Sequence, residues 1–341
     1  MREFGSDYHR CDTPFYGEAT LSMLLRQPQL YANGRMALEA LIREQRWHRL
    51  WVPAYFCHEV LQTLAQETEL CLYDDCPTEQ NDQQLVRSLP YRPGDALLRM
   101  NYFGWRSLRT NTGIPVPVIE DHSHALTSDW ALHSDADWCI ASLRKSLPLA
   151  MGGVLWSPKG LTLPHTPAES AACNRLADER YRAMDNKAKY LLHGGDKHAF
   201  RTLFFATEEE LAQQKQIAAI DPTSADILSR LDLMAWNEQR RSNIAQAASL
   251  LTGWQVADTS TEDAFSLVVL MPDEPARDKV RNYLIEHNVY PAVLWHVPEQ
   301  LPFERSRDFS RRMLSIHCDA RYNRQDITEL CGIMNKYDTN H

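Results

Sequence analysis

Between residues 31 and 158 the chain alternates short apolar runs with helix-length stretches, and this alternation limits its fold more than any other feature. GRMALEALIREQ (34–45) spaces its apolar residues for one face of a helix, and RLWVPA (49–54) reads as a strand. A helix over 56–67 follows. ELCLYD (69–74), DALLRMNYF (95–103), VPVIED (116–121), DWCIASL (137–143) and GGVLWSP (152–158) read as further strands. Parallel strands need long crossovers, and strands this apolar are covered on both faces. The pattern predicts a three-layer α/β/α domain around a mostly parallel sheet.

The rhythm changes after about residue 165. Helical patterns dominate from 168 to 251. A strand is then expected at 264–272, a helix opened by proline at 275–288, a strand at 312–319 and a closing helix at 324–337. These make a small C-terminal α+β domain. The expected division is an N-terminal arm with a short helix (1–30), a large domain (31–255) and the small domain (256–341). A cleft between two such domains is a usual place for a ligand.

Composition narrows the function. The 341 residues are 44% hydrophobic and 24% charged, as in an ordinary soluble protein. The net charge of -9, with no run of Lys and Arg, argues against nucleic acid and anionic membranes as partners. No apolar leader and no stretch of 18 uninterrupted apolar residues is seen, so neither export nor a membrane span is expected. The eight cysteines include no CxxC pair and suit a reducing, cytoplasmic setting.

Four features carry chemistry, in order along the chain. In YANGRMALEAL (31–41), Asn33, Gly34 and Arg35 stand where a helix begins, and exposed amides at a helix start favour an anion. In VPAYFCHEV (52–60), Tyr55 and Phe56 stand at a strand-to-helix junction, where a ring can cover a planar group. Asp121 ends the run VPVIE, and a carboxylate at a parallel strand's carboxyl end faces the ligand crevice. In ASLRKSLPLAMGG (141–153), Lys145 follows another strand, three residues after Ser142 and ahead of Gly152 and Gly153. A lysine in a partly desolvated cleft can act as a nucleophilic amine. Taken singly each feature is ordinary. Together they supply a phosphate anchor, a stacking ring, a partner for a ring nitrogen and a Schiff-base lysine, which is what pyridoxal 5′-phosphate requires.

From about Ala32 to Tyr337 the sequence resembles fold-type I pyridoxal-phosphate enzymes, and among them most the DegT-like nucleotide-sugar aminotransferases. NGRMAL, VIEDHSHAL, SLRKSLP with the following Gly pair, and NVYPAVLW carry the likeness. The resemblance implies that Lys145 is the Schiff-base lysine and proton shuttle. It makes Asp121 the ring-nitrogen partner and sets His124 beside the cofactor 3′-oxygen. Ser142 and the backbone around Gly34 and Arg35 hold the phosphate, and Tyr55 or Phe56 stacks on the ring. It also implies a homodimer, an amino donor and a keto acceptor such as a keto-sugar nucleotide. A donor carboxylate calls for a cation, for which Arg321 is the candidate, with Arg311 and Arg312 behind it. His296 in WHVPEQ (295–300) is a candidate for the substrate mouth.

The sequence departs from the family pattern in DHSH, in NYFGW (101–105) and in lacking a clear Asn-bearing segment for a neighbouring subunit's phosphate. Other pyridoxal chemistry (a lyase, a decarboxylase, a C–C bond-forming transferase) shares the same anchors, as does a relative that binds the cofactor without turnover. A metallohydrolase reading starts from Asp121, His122 and His124. Strand alternation would put Asp121 and Ser123 on one side and both histidines on the other.

Overall fold

The computed structural model describes residues 2–11, 15–79, 81–257, 263 and 265–337. Its strands are β1 (Phe4–Gly5), β2 (Gln29–Tyr31), β3 (Arg49–Pro53), β4 (Glu69–Tyr73), β5 (Asp95–Met100), β6 (Val118–Asp121), β7 (Trp138–Ser142), β8 (Gly153–Trp156), β9 (Leu267–Leu270), β10 (Val289–Tyr290) and β11 (Met313–Ile316). The helices are α1 (Leu21–Leu24), α2 (Gly34–Gln45), α3 (His58–Leu64), α4 (Gln83–Ser88), α5 (Asp129–Leu132), α6 (Ala171–His193), α7 (His198–Gln213), α8 (Pro222–Arg230), α9 (Leu233–Leu250), α10 (Glu274–Glu286), α11 (Glu304–Arg312) and α12 (Arg324–Met334).

A seven-stranded sheet in the order β2-β8-β7-β6-β5-β3-β4 organises the molecule. Neighbours from β4 to β7 run parallel, while β8 is antiparallel to both β7 and β2. Every residue of β5, β6 and β8 is buried, as expected for strands covered on both faces. The expected three-layer sheet is therefore present. α2 forms over the expected residues because Asn33 caps its start, Met36, Ala37, Leu38, Leu41 and Ile42 are buried, and Arg46 ends it in the left-handed region at φ 53°.

A second apolar cluster gathers Leu267, Val269, Val280, Leu284, Leu314, Ile316 and Leu330 around the antiparallel pair β9–β11. Phe4 from the arm and Ile244 from α9 join it. The strand expected at 264–272 is observed over 267–270, and Ala264 lies outside the described residues. The strand expected at 95–103 stops at Met100, and Tyr102–Gly104 form a 3₁₀ turn.

The arm is pinned to the C-terminal part of the chain. β1 pairs in parallel with β10, and the Gly5 amide donates to the Tyr322 hydroxyl at 2.8 Å. Gly5 has φ +84°, and a Cβ there would stand 2.4 Å from the Tyr290 carbonyl oxygen. Only glycine fits this approach. Among the described residues no helix is long and apolar enough to cross a membrane.

Candidate active site

β6 and β7 lie side by side, and the residues expected to do chemistry stand just past their carboxyl ends. Asp121 is the last residue of β6, buried, in register with Met100 of β5 and Ile140 of β7. Its Oδ1 accepts the Ser123 amide at 2.8 Å. Lys145 closes a 3₁₀ turn, Leu143–Lys145, directly after β7. The Ser142 amide donates to Ser123 Oγ at 2.8 Å and ties the two strand ends together. Open α/β sheets bind ligands at this end.

The start of α2 arrives at the same place. Asn33 Oδ1 accepts the Met36 amide at 2.8 Å. The Gly34 and Arg35 amides, like the first amides of any helix, have no intrahelical acceptor. A Cβ on Gly34 would lie 3.0 Å from Ser142 Cβ and 3.1 Å from Ser142 N. Glycine therefore lets the helix start touch the end of β7 beside the Ser142 side chain. The Arg35 side chain does not join this cradle. It donates to the carbonyls of Leu211 and Gln214 at 3.0 and 3.3 Å and lies 3.6 Å from Glu39. Carbonyls at the carboxyl end of α7 carry partial negative charge, so they draw the guanidinium away.

His124 is held by an unusual backbone turn. Phe103 has φ 51°, and its amide donates to His124 Nδ1 at 3.2 Å. The ring proton is thereby assigned to Nε2, which is buried without a hydrogen-bond partner. Burial, then Lys145 and Arg240, push the His124 pKa well below the usual value, so the ring is neutral. It stacks on Phe265 (centroids 4.3 Å, 11°) and on Trp295 (5.4 Å, 18°).

Tyr55 and Phe56 both turn toward Trp295, with centroids 5.5 and 5.8 Å from its ring. Lys145 Nζ lies 4.9 Å from the Trp295 centroid. A planar ring thus sits among Tyr55, Phe56 and His124, with the amine facing it. Lys145, His124, Trp295 and Phe265 line a cavity of about 270 Å³ whose wall includes Ser6, Asp7 and Tyr8 of the arm. Asp121, Ser142, Tyr55 and Phe56 do not line it. A wider neighbouring cavity of about 590 Å³ shares Ser6, Asp7, Arg144 and Phe204 with it.

The expected cation is not open to this cavity. Arg321 is spent on Asp319, with two contacts of 2.8 Å, and on the Asp7 carbonyl at 3.1 Å, and it lies over the Tyr8 ring. Although burial pushes the Asp319 carboxyl up, Arg321 holds it down to about 2, so the pair stays ionic and closed. Arg311 pairs with Glu299, and Arg312 with Asp308. His296 is exposed and absent from the cavity wall, because the loop turns Trp295 inward instead.

The metal set suggested by Asp121, His122 and His124 does not form. β6 ends at Asp121 and the chain turns, so strand alternation stops and the two histidines part. His122 lies 3.2 Å from Glu120, walled by the Trp130 and Trp156 rings, while His124 reaches the cavity. Among the described residues the group close enough to hold a metal is Glu120, His122 and Cys139. Glu120 there already accepts bonds from Ser134 at 2.6 Å and Asn111 at 2.8 Å.

The remaining donor set fits pyridoxal 5′-phosphate. The unpartnered Nε2–H of His124 can donate to a ring oxygen. The Gly34–Ser142 approach sets the start of α2 beside a hydroxyl, and Trp295 shows that the space between His124, Tyr55 and Phe56 takes a planar ring.

No family model matches the chain, and no curated protein matches it. Solved structures do. The chain is similar to Helicobacter pylori PseC, an aminotransferase involved in the biosynthesis of pseudoaminic acid, with TM-score 0.64, 11% identity, and 98% of this chain and 99% of PseC covered. An assigned sugar aminotransferase of Streptococcus pneumoniae in its PLP-form gives 0.60 at 12% identity, covering 95% and 93%. DesI in the presence of its TDP-sugar product gives 0.59 at 15% identity, covering 92% and 80%. The chain has the fold of these aminotransferases, the fold-type I architecture.

Proposed function

We propose that the chain is a pyridoxal-phosphate-dependent aminotransferase that moves an amino group from an amino donor to a keto-sugar nucleotide or related keto substrate. One observation carries the reading. Lys145 and a neutral His124 that keeps an unpartnered Nε2–H line one cavity at the carboxyl ends of β6 and β7.

When bound, the cofactor would supply an aldehyde carbon to carry the amino group and a ring to take up electrons. Lys145 Nζ would hold that carbon and then move the proton at the substrate α-carbon. Asp121 would hold a proton at the ring nitrogen. His124 Nε2 would donate to the ring oxygen, and the Gly34 and Arg35 amides with the Ser142 hydroxyl would bind the phosphate. Tyr55 and Phe56 would cover the ring and exclude water.

The nucleotide part of an acceptor finds support in the wider cavity, where Lys197, Arg201 and Arg281 stand beside Phe200 and Phe205. The same reading carries a homodimer, a cytoplasmic setting consistent with eight cysteines outside disulfides, and the division into residues 1–30, 31–255 and 256–341.

Reduction with borohydride in the presence of pyridoxal 5′-phosphate should fix the cofactor to the peptide containing Lys145. Labelling of a different lysine, or of none, would end this reading.

A further inference from the structure

The cavity holds two guanidiniums that the proposed chemistry does not use. Arg144, next to Lys145 in the 3₁₀ turn, donates through both terminal nitrogens to Glu208 of α7 at 2.6 Å each. Arg180 of α6 donates to the same carboxylate at 2.9 Å and to Thr207 Oγ1 at 3.4 Å. Its nearest further anion, Asp7, is 3.6 Å away. The Nε of each arginine is buried without a hydrogen-bond partner.

Both arginines therefore converge on Glu208, with Asp7 a second, longer contact of Arg180 at 3.6 Å. Against the upward push of burial, Arg144 and Arg180 hold Glu208 down to about 2, so it remains charged. Burial, then Arg144, pulls the Arg180 pKa down, while Glu208 and Asp7 push it up. A buried cation with a perturbed pKa on the wall of a cavity is a candidate ligand contact. A guanidinium fork matches a carboxylate in plane and spacing. Both arginines line the same cavity as Lys145 and His124.

We propose that Arg144 and Arg180, braced by Glu208, form the carboxylate clamp for the amino donor, an α-amino acid whose amino group the clamp directs to the carbon that Lys145 would hold. This rests on the aminotransferase reading. The clamp replaces the buried Arg321 as the donor's anchor. Because Arg144 precedes Lys145 directly, clamp and amine share one rigid turn.

The test is calorimetric titration of the cofactor-loaded protein with succinate, which carries carboxylates but no amine to react. Arg180→Met and Arg144→Met should each weaken succinate by at least ~10-fold, the loss expected for charge-assisted hydrogen bonds. Arg180→Lys, which keeps the charge, should lose less. Neutral succinamide should bind far more weakly than succinate. Unchanged succinate affinity in both Met variants, or equal binding of succinamide, would overturn the clamp. Should Arg180→Met not fold, Arg144→Met decides alone, its side chain being 22% exposed and so less critical to the core. If borohydride labelling fails, the same titration on the cofactor-free chain still reads the clamp, so the two failures are distinguishable.

Discussion

The end of β6 carries two acid–histidine sets, one on each side of the sheet, and they have different fates. On one side Glu120 is buried and takes bonds from Asn111, Ser134 and His122, with Cys139 nearby. Its partner His122 keeps an unpaired Nδ1, but Trp130 and Trp156 close around the ring. On the other side the Asp121 carboxylate accepts the Ser123 amide of its own turn, and the unpaired nitrogen of His124 lies on a ring that lines a cavity. Residue type does not separate the two sets. Satisfied partners make the first a piece of architecture, and access to a cavity equips the second for chemistry.

That contrast can be broken in several ways. The largest effect is expected at the amine beyond both sets. Lys145→Ala should cut transamination by ~10⁴-fold and leave the thermal midpoint nearly unchanged, since no ion pair holds its Nζ among the described residues. Next comes a reciprocal pair. Asp121→Asn should lower turnover by ~10²-fold with stability retained, read from steady-state rates and urea unfolding. Glu120→Gln should do the reverse, costing about 2 kcal/mol of stability while sparing cofactor binding. If both variants lose activity alike, the two sides of β6 are not functionally distinct.

A pH series sharpens the contrast further. Burial pushes His9, on the arm, and His317, on the cavity wall that the arm shares, down to about 4. Both are neutral when folded but protonate near 6.5 when unfolded, so the unfolded chain binds more protons in that window. Stability should therefore fall as pH drops from about 6.5 to about 4, seen as a falling urea midpoint, and His317→Asn should flatten the slope. The smallest effect is expected at His124→Gln, which keeps a donor: a decrease of ~10-fold or less in turnover, with little change in stability.

The sequence announced whatever depends on neighbours along the chain. α2 was legible because its Asn33 cap and its apolar face lie within one segment. Asp121, Ser142 and Lys145 were legible because each follows a strong apolar run. The two-residue strands β1 and β10 offer too few side chains for a period. In ERSRDFSRR of α11, Phe309 is the single apolar residue, so no helical stripe appears. Arg321 looked available because a sequence does not show that Asp319, two residues earlier, closes over it. The cavity's other wall was illegible for a further reason. Trp295, Arg180 and Glu208 come from segments far apart and meet only through tertiary packing. Alternation also misled past Asp121, where the strand ends and the rule lapses.

Trp295 has a consequence of another kind. Its indole is one of nine tryptophans, and it stands within a ring's breadth of Lys145, His124, Tyr55 and Phe56. Any flat guest entering that slot must lie against the indole or displace it. The protein thus carries its own optical gauge of occupancy: the difference in emission between the native chain and Trp295→Phe isolates the light from this one ring, and its quenching counts filled sites without a label.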